Sequence, residues 1–169
     1  MGTVPMTNKE FLHEKMLELA KDPKVRFIGY NTKYGHKFNG TLKGCEESCI
    51  EMPVAENLIM GMGIGMSLEG WKIICCLERM DFLWACADQI VNHLDKAQQL
   101  GLGKLNLIVR TCVGDSVPLN PGCQHQGDYF QTFRQLLKEV PVLSFWPEKV
   151  EGTAMIVEWR KDYDKNYII

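Results

Sequence analysis

The sequence predicts an α/β protein: a three-layer sandwich with a mainly parallel sheet covered by helices on both faces. Three observations lead there. Short apolar runs such as Lys72-Ile-Ile-Cys-Cys-Leu77 and Leu105-Asn-Leu-Ile-Val-Arg-Thr111 read as interior strands. Helical patterns alternate with the strands along the chain, which is the signature of crossover connections in a parallel sheet. The chain has 169 residues, 46% of them apolar, enough for one domain with a full core.

Taken in order, residues 7–22 read as a helix. Thr7 is placed to cap it, Glu10 completes a capping box, and Phe11, Met16, Leu17 and Leu19 share a face. Asp22-Pro23 ends it, and residues 25–29 follow as a short strand. Residues 30–50, rich in Gly, Asn, Lys and Thr, read as a long loop of the kind that carries function. Pro53 opens a helix that ends near Gly70. Its body, Leu58-Ile-Met-Gly-Met-Gly-Ile-Gly-Met-Ser-Leu68, predicts burial on nearly every side.

After the strand at 72–77, residues 78–81 form a polar break. Residues 82–100 read as a long helix with Phe82, Ala85, Ile90 and Leu94 inward, closed by Gly101 and Gly103. A strand at 105–111 leads into a second long loop over 112–128. A helix over 129–137, a strand over 142–145 and a last helix from Glu148 to about Lys161 complete the order, with a short tail strand over 166–169.

Nineteen Lys and Arg against 21 Asp and Glu leave a net charge of −2, and the pI is about 6.1. That balance argues against a nucleic-acid partner held through phosphates. No apolar run reaches membrane-spanning length, and no signal-peptide pattern opens the chain. The seven cysteines are odd in number and mostly set in apolar segments, which fits free buried thiols in a reducing cytosol. The expectation is a cytoplasmic protein with neither a nucleic-acid nor a membrane partner. Cys45 and Cys49 lack a second ligand pair for zinc.

In a parallel sheet, ligands bind beyond the carboxyl ends of the strands. The loops at 78–82 and 112–128 both follow strands and fall on that edge, and Glu56 can share it. Glu56 stands in a helix first turn, where a carboxylate is favoured, at the head of a segment with almost no other charge. A capping role and a functional acid both fit it. His125, in Gly122-Cys-Gln-His-Gln-Gly127, is a candidate for proton handling; His13 and His93 fall on helices and His36 in the first long loop. Gly61-Met-Gly63-Ile-Gly65 lies inside a helix, so close helix packing at a subunit interface explains it better than a dinucleotide loop.

Pro53-Val-Ala-Glu56, Phe82, Asp88-Gln89 and Gln124-His125 occur in an order that resembles the pyrimidine-binding domain of thiamine-diphosphate enzymes. The likeness is greatest to the β subunits of 2-oxo-acid dehydrogenases and the central domain of transketolases, and covers nearly the whole chain. It implies the α/β fold above, with residues 1–169 forming a single pyrimidine-binding domain. Glu56 matches the glutamate that hydrogen-bonds the cofactor's aminopyrimidine and promotes the imino tautomer, a task for a carboxyl group that keeps or shares its proton. Val54 matches a residue packed beside the ring, Phe82 the aromatic stacked on it, and His125 the histidine over the reacting carbon. Glu78 falls where many relatives carry a neutral residue close to the ring.

The family's diphosphate half, with Mg2+ and a Gly-Asp-Gly…Asn signature, is not matched; Gly114-Asp115-Ser116 is only a partial mimic. The transketolase-type C-terminal domain is unmatched too. The resemblance therefore implies a separate diphosphate-binding subunit, self-association into a heterotetramer, and inactivity of this chain alone. The implied reaction makes or breaks a C–C bond next to a carbonyl in a small-molecule substrate, by ketol transfer or by 2-oxo-acid decarboxylation with acyl transfer. Lys33, His36, Lys37 and Arg110 are available for a sugar phosphate. A non-enzymatic alternative is a catalytically degenerate subunit that assembles with, or regulates, a true enzyme.

Overall fold

The structure is a computed structural model that describes residues 6–116 and 120–167. Its six strands are β1 (Val25–Gly29), β2 (Cys49–Glu51), β3 (Lys72–Leu77), β4 (Leu107–Val113), β5 (Val142–Leu143) and β6 (Thr153–Trp159). They form one sheet in the order β2-β1-β3-β4-β6-β5, and every pairing is parallel. The α-helices are α1 (Asn8–Ala20), α2 (Glu56–Leu68) and α3 (Phe130–Leu136). The α/β sandwich expected from the sequence is the fold observed.

The central strands explain their own composition. In β3, Ile73, Cys75 and Leu77 face one layer, while Ile74 and Cys76 face the other. β4 likewise divides Leu107, Val109 and Val113 from Ile108 and Cys112. With both faces dry, such strands read as unbroken apolar runs. α2, residues 80–97 and Phe133 of α3 cover one face. α1 covers the other, with Phe38, Leu42, Trp146 and Tyr163.

Thr7 caps α1 as its sequence predicts. Its hydroxyl accepts the Glu10 N–H at 3.3 Å, and the Glu10 carboxylate accepts the Thr7 N–H at 2.8 Å. α2 begins at Glu56 rather than Pro53. It is not buried on nearly every side. Ile59, Met60, Gly63, Ile64 and Ser67 face the core, while Leu58 and Leu68 stand exposed. The close packing at its glycines is helix on sheet. A Cβ on Gly63 would stand 2.5 Å from Cys75 Sγ and 3.3 Å from Ile28 Cδ1 and Leu107 Cδ1, whereas one on Gly65 would meet nothing within 4 Å. Opposite effects follow. Gly63→Ala is expected to lose about 1–3 kcal/mol through overpacking, and Gly65→Ala to gain roughly 0.5–1 kcal/mol from helix propensity. Urea unfolding of the two variants checks both signs, and a neutral Gly63→Ala contradicts the packing.

Four expectations are corrected. The helix expected over 82–100 is a 3-10 segment, Met80–Cys86, followed by a wider π-helical turn, Gln89–Leu94. The loop expected over 30–50 ends in edge strand β2. The last helix expected from Glu148 to Lys161 is β6, set off by Gly152 at φ 82° and buried along Ala154–Val157 against β4. The tail expected as a strand contributes only an isolated antiparallel bridge, Asn166 with Thr7; residues 168 and 169 lie outside those described.

Arg110, wholly buried on β4, is the centre of a polar cluster inside the apolar core. Its Nε donates to Glu158 Oε1 at 2.7 Å, and its Nη2 donates to Glu158 Oε2 at 3.1 Å and Thr41 Oγ1 at 2.9 Å. Glu158 also accepts from Trp146 Nε1 at 3.0 Å and from the Tyr163 hydroxyl at 2.6 Å. Burial opposes the Arg110 charge, but the Glu158 carboxylate outweighs it and holds the guanidinium pKa above its ordinary value. Arg110 is therefore committed to the core and does not offer itself to a sugar phosphate, as one reading of the sequence had it.

Candidate active site

The carboxyl ends of the strands all point to one edge, where a parallel sheet gathers its ligand-binding loops. β2 delivers the short turn before Glu56, the first residue of α2. β3 delivers Glu78 and Phe82, and β4 delivers the loop that returns through a 3-10 turn at Cys123–His125. A cleft of about 140 Å3 opens between the first two of these, lined by Tyr30, Val54, Glu56, Leu77, Glu78 and Phe82. Four residues singled out from the sequence, Val54, Glu56, Glu78 and Phe82, thus line one cleft. Glu56 is half-buried, and its carboxylate makes no hydrogen bond among the described residues.

His125 joins the group through Phe82. The two rings meet edge to face, with centroids 5.3 Å apart and planes at 75°. His125 Nδ1 is buried and has no hydrogen-bond partner among the described residues. The backbone that carries it is tied down next door, where Gly127 N–H donates to the Asp81 carboxylate at 3.1 Å.

Two carboxylates shape the mouth of the cleft, and sequence reasoning had assigned neither of these tasks. Glu51, the last residue of β2, accepts the backbone N–H groups of Asn31 at 2.6 Å, Lys33 at 2.8 Å and Tyr34 at 3.2 Å. It fixes the turn after β1, where Asn31 takes a left-handed conformation at φ 54°. Glu78 accepts from Asn31 Nδ2 at 2.9 Å and lies 2.6 Å from His36 Nε2. Asn39 N–H donates to His36 Nδ1, leaving Nε2 as the ring nitrogen that faces Glu78 with a proton. Lys37, another expected phosphate contact, pairs with Glu46 instead.

Burial works to raise the Glu78 carboxyl. Hydrogen bonds from His36 and Asn31, with the nearby Arg79 charge, outweigh it and hold the pKa below its ordinary value. A depressed carboxyl stabilises the fold above its unfolded pKa, about 4.3 for glutamate, and that contribution is lost as pH falls through the folded value. Wild type is therefore expected to exceed Glu78→Gln in stability at neutral pH, with the difference shrinking as pH drops below about 4.3. Urea unfolding of both proteins along a pH series checks this; a difference independent of pH contradicts it.

The cleft's donors suit one end of a planar nitrogen heterocycle: an acid at Glu56, an aromatic face at Phe82 and an apolar side at Val54. They do not suit a diphosphate or a divalent cation. No lysine or arginine lines the cleft, and among the described residues no three His, Cys, Asp or Glu side chains converge to hold a metal. Larger clefts of about 650 and 300 Å3 flank α1, around Phe11, Trp146 and Tyr167, and gather none of the expected site residues. All seven cysteines are free, and only Cys123 is exposed. Burial pushes the thiols of Cys76, Cys86 and Cys112 up to about 12, which leaves them inert as nucleophiles.

Fold and cleft together define a parallel-sheet domain with a small cleft at its strand ends. The comparisons give the family. Residues 5–117 match the family described as transketolase, pyrimidine binding domain. The chain belongs to that family, as the residues from Pro53 to His125 suggested.

Three relatives place it further. It is 23% identical over 138 residues to the mitochondrial pyruvate dehydrogenase E1 component subunit beta of Ascaris suum, covering 78% of this chain and 38% of that one. It is 27% identical over 143 residues to the chloroplastic pyruvate dehydrogenase E1 component subunit beta-3 of Oryza sativa, covering 79% and 35%. It is 30% identical over 82 residues to the mitochondrial 2-oxoisovalerate dehydrogenase subunit beta of Chaetomium thermophilum, covering 46% and 18%. The chain therefore spans well under half the length of these relatives. A solved structure described as a split gene transketolase, inactive beta4 tetramer, shares the fold at a TM-score of 0.67 and 19% identity, covering 93% of this chain and 52% of the other.

Proposed function

We propose that this chain is the pyrimidine-binding subunit of a split thiamine-diphosphate enzyme that makes or breaks a C–C bond next to a carbonyl. The observation that carries the reading is the shared cleft: Glu56 at the head of α2, Val54 beside it and Phe82 across it, with His125 edge-on to Phe82. Thiamine diphosphate, held here, would supply the nucleophilic carbon that this C–C chemistry needs. The chain's own residues prepare for it. Phe82 and Val54 hold the aminopyrimidine ring, Glu56 shares a proton with it through a carboxyl oxygen, and Glu78 shapes the cleft mouth. His125 orients the substrate or moves a proton at its ring nitrogen. Among known relatives, both ketol transfer and 2-oxo-acid decarboxylation with acyl transfer fit this set.

The diphosphate and its Mg2+ fall to a separate subunit with a Gly-Asp-Gly…Asn motif, because the donors here suit the ring end alone. Residues 1–169 act as a single domain, inactive without that subunit. Copies of this chain meet through the outer face of α2, where Leu58, Leu68 and open Gly65 form an apolar strip beside Val54, giving a heterotetramer with two copies of each chain. Free, buried thiols support a cytoplasmic location. Among the described residues no helix is long and apolar enough to cross a membrane. Calorimetry with thiamine diphosphate and Mg2+ tests the reading: weak binding to this chain, strong binding to the complex, and a dependence on Glu56. Equal affinity with and without the partner contradicts the split site.

A further inference from the structure

The loop at the cleft mouth holds an unusual turn. Lys37, Phe38, Asn39 and Gly40 take left-handed backbone one after another, at φ 52°, 46°, 59° and 84°. Only the last is glycine, and Lys37 and Phe38 bear the full steric cost of that region. Contacts on several sides hold the turn. Phe38 is wholly buried, with Arg110 Cζ 4.3 Å from the centre of its ring. The Phe38 N–H donates to the Asn31 carbonyl at 2.8 Å, and Lys37 pairs with Glu46. The fit is still incomplete, since Asn39 Nδ2 is buried with no partner among the described residues. A turn so balanced is weakened by the loss of one tie.

One tie depends on a proton. The Asn39 N–H donates to His36 Nδ1 at 2.9 Å, and across the same ring Nε2 lies 2.6 Å from Glu78 Oε1. One nitrogen accepts while the other donates, and only the neutral ring does both. A second proton goes to Nδ1. It sets donor against donor at Asn39 and leaves the Glu78 contact in place. Turning the ring over restores nothing, because both nitrogens of the charged form are donors. The His36 side chain is half-exposed and open to protons from solvent.

The same carboxylate connects the turn to the cleft. Glu78 Oε1 also accepts from Asn31 Nδ2, and Asn31 follows Tyr30, which lines the cleft with Glu78. Glu78 keeps its charge while histidine titrates, its carboxyl lying below the ordinary value despite burial. The other charged groups around the turn are of types that titrate outside the range of histidine. They are Lys37 with Glu46, Lys9 and Lys43 beside Gly40, Glu51 at the turn after β1, and Arg79 next to Glu78. His13 is the other histidine here. Its Nδ1 lies 3.1 Å from the Thr41 carbonyl, which the ring serves as donor whether neutral or charged.

We propose that His36 is a pH-sensitive latch: the neutral ring holds the 37–40 turn closed against Glu78, and the protonated ring releases that turn and loosens the cleft mouth. The latch is built into the fold and stands whether or not the cleft takes the cofactor assigned above.

Solvent exchange of backbone amides in the full chain, followed by NMR, tests it. Rates are expressed as protection factors, so that the intrinsic pH dependence of exchange cancels. From about pH 7.5 to about pH 5.5, across the range of histidine, protection at both Phe38 and Asn39 is expected to fall about fivefold, the worth of one ordinary hydrogen bond. Amides of β3 should hold theirs, which shows the fold intact. His36→Asn puts an oxygen acceptor that does not titrate close to where Nδ1 stands, so protection at Asn39 should stay at both pH values. His36→Gln carries its amide out toward Glu78 and leaves Asn39 without an acceptor, so protection should be low at both. His13→Gln should keep the wild-type step. Wild-type protection that is equal at the two pH values overturns the proposal. So does a step that survives in His36→Asn or disappears in His13→Gln. A response at Asn39 with Phe38 unchanged overturns it too, because the turn then stays bound to Asn31 and the mouth is not loosened.

Discussion

Glu56→Gln is expected to lower turnover of the assembled enzyme by roughly 10²–10⁴-fold, the usual reach of a positioned acid or base. The substitution keeps the shape of the side chain and removes its ability to give up a proton. Because the Glu56 carboxylate makes no hydrogen bond among the described residues, the fold should lose little, and urea unfolding should show a change within about 0.5 kcal/mol. A carboxylate at a helix start also gains from the helix dipole, a contribution of about 0.3–1 kcal/mol at most in an exposed setting. Turnover and stability should thus separate. Steady-state assays of the complex on 2-oxo acids and ketose phosphates provide the first quantity. Turnover unchanged by the substitution would sink the role assigned to Glu56 and favour a subunit that only scaffolds its partner.

The second large effect lies in the core. Glu158→Gln is expected to destabilise the chain by about 3–5 kcal/mol, because it strips the buried Arg110 guanidinium of its counter-charge while leaving the charge in place. Glu158 is 7% exposed and Arg110 wholly buried, so water cannot take over. The Tyr163 hydroxyl and Trp146 Nε1 lose a charged acceptor in the same step. The double variant Arg110→Met with Glu158→Gln should recover part of the loss, since no unpaired charge remains. Chemical denaturation of wild type, both singles and the double closes the cycle. A single variant within about 1 kcal/mol of wild type would show that the cluster is not the fixed pair its distances describe.

What the sequence disclosed, and what it hid, follows the range of the interactions involved. Thr7 and Glu10 cap α1 through contacts three residues apart, so their pattern was readable. β3 and β4 were readable because strands dry on both faces have no polar alternation to confuse them. β6 was misread: Trp146-Pro147 looks like a helix start, and Ala154, Met155 and Glu158 all tolerate a helix. Its true state is imposed by pairing with β4, whose partners lie 46 residues earlier in the chain, which local propensity does not register. At the site, Val54, Glu56, Glu78 and Phe82 were picked out by resemblance, and the structure brings them into one cleft. The work of Glu51 stayed hidden, because its partners are backbone N–H groups that no side-chain pattern announces.

The strand order has a consequence for how this molecule can meet others. The margins of the sheet are β2 and β5, of three and two residues. An invading strand would find too few backbone groups there to build a ladder, the same device by which many sheets avoid joining edge to edge into fibres. The long strands β4 and β6, able to template another chain, are sealed in the interior of the sheet. Association by strand addition is thereby closed off, and a neighbour must read side chains instead. Which neighbours are accepted then becomes a matter of surface residues alone, free to diverge without disturbing the sheet beneath.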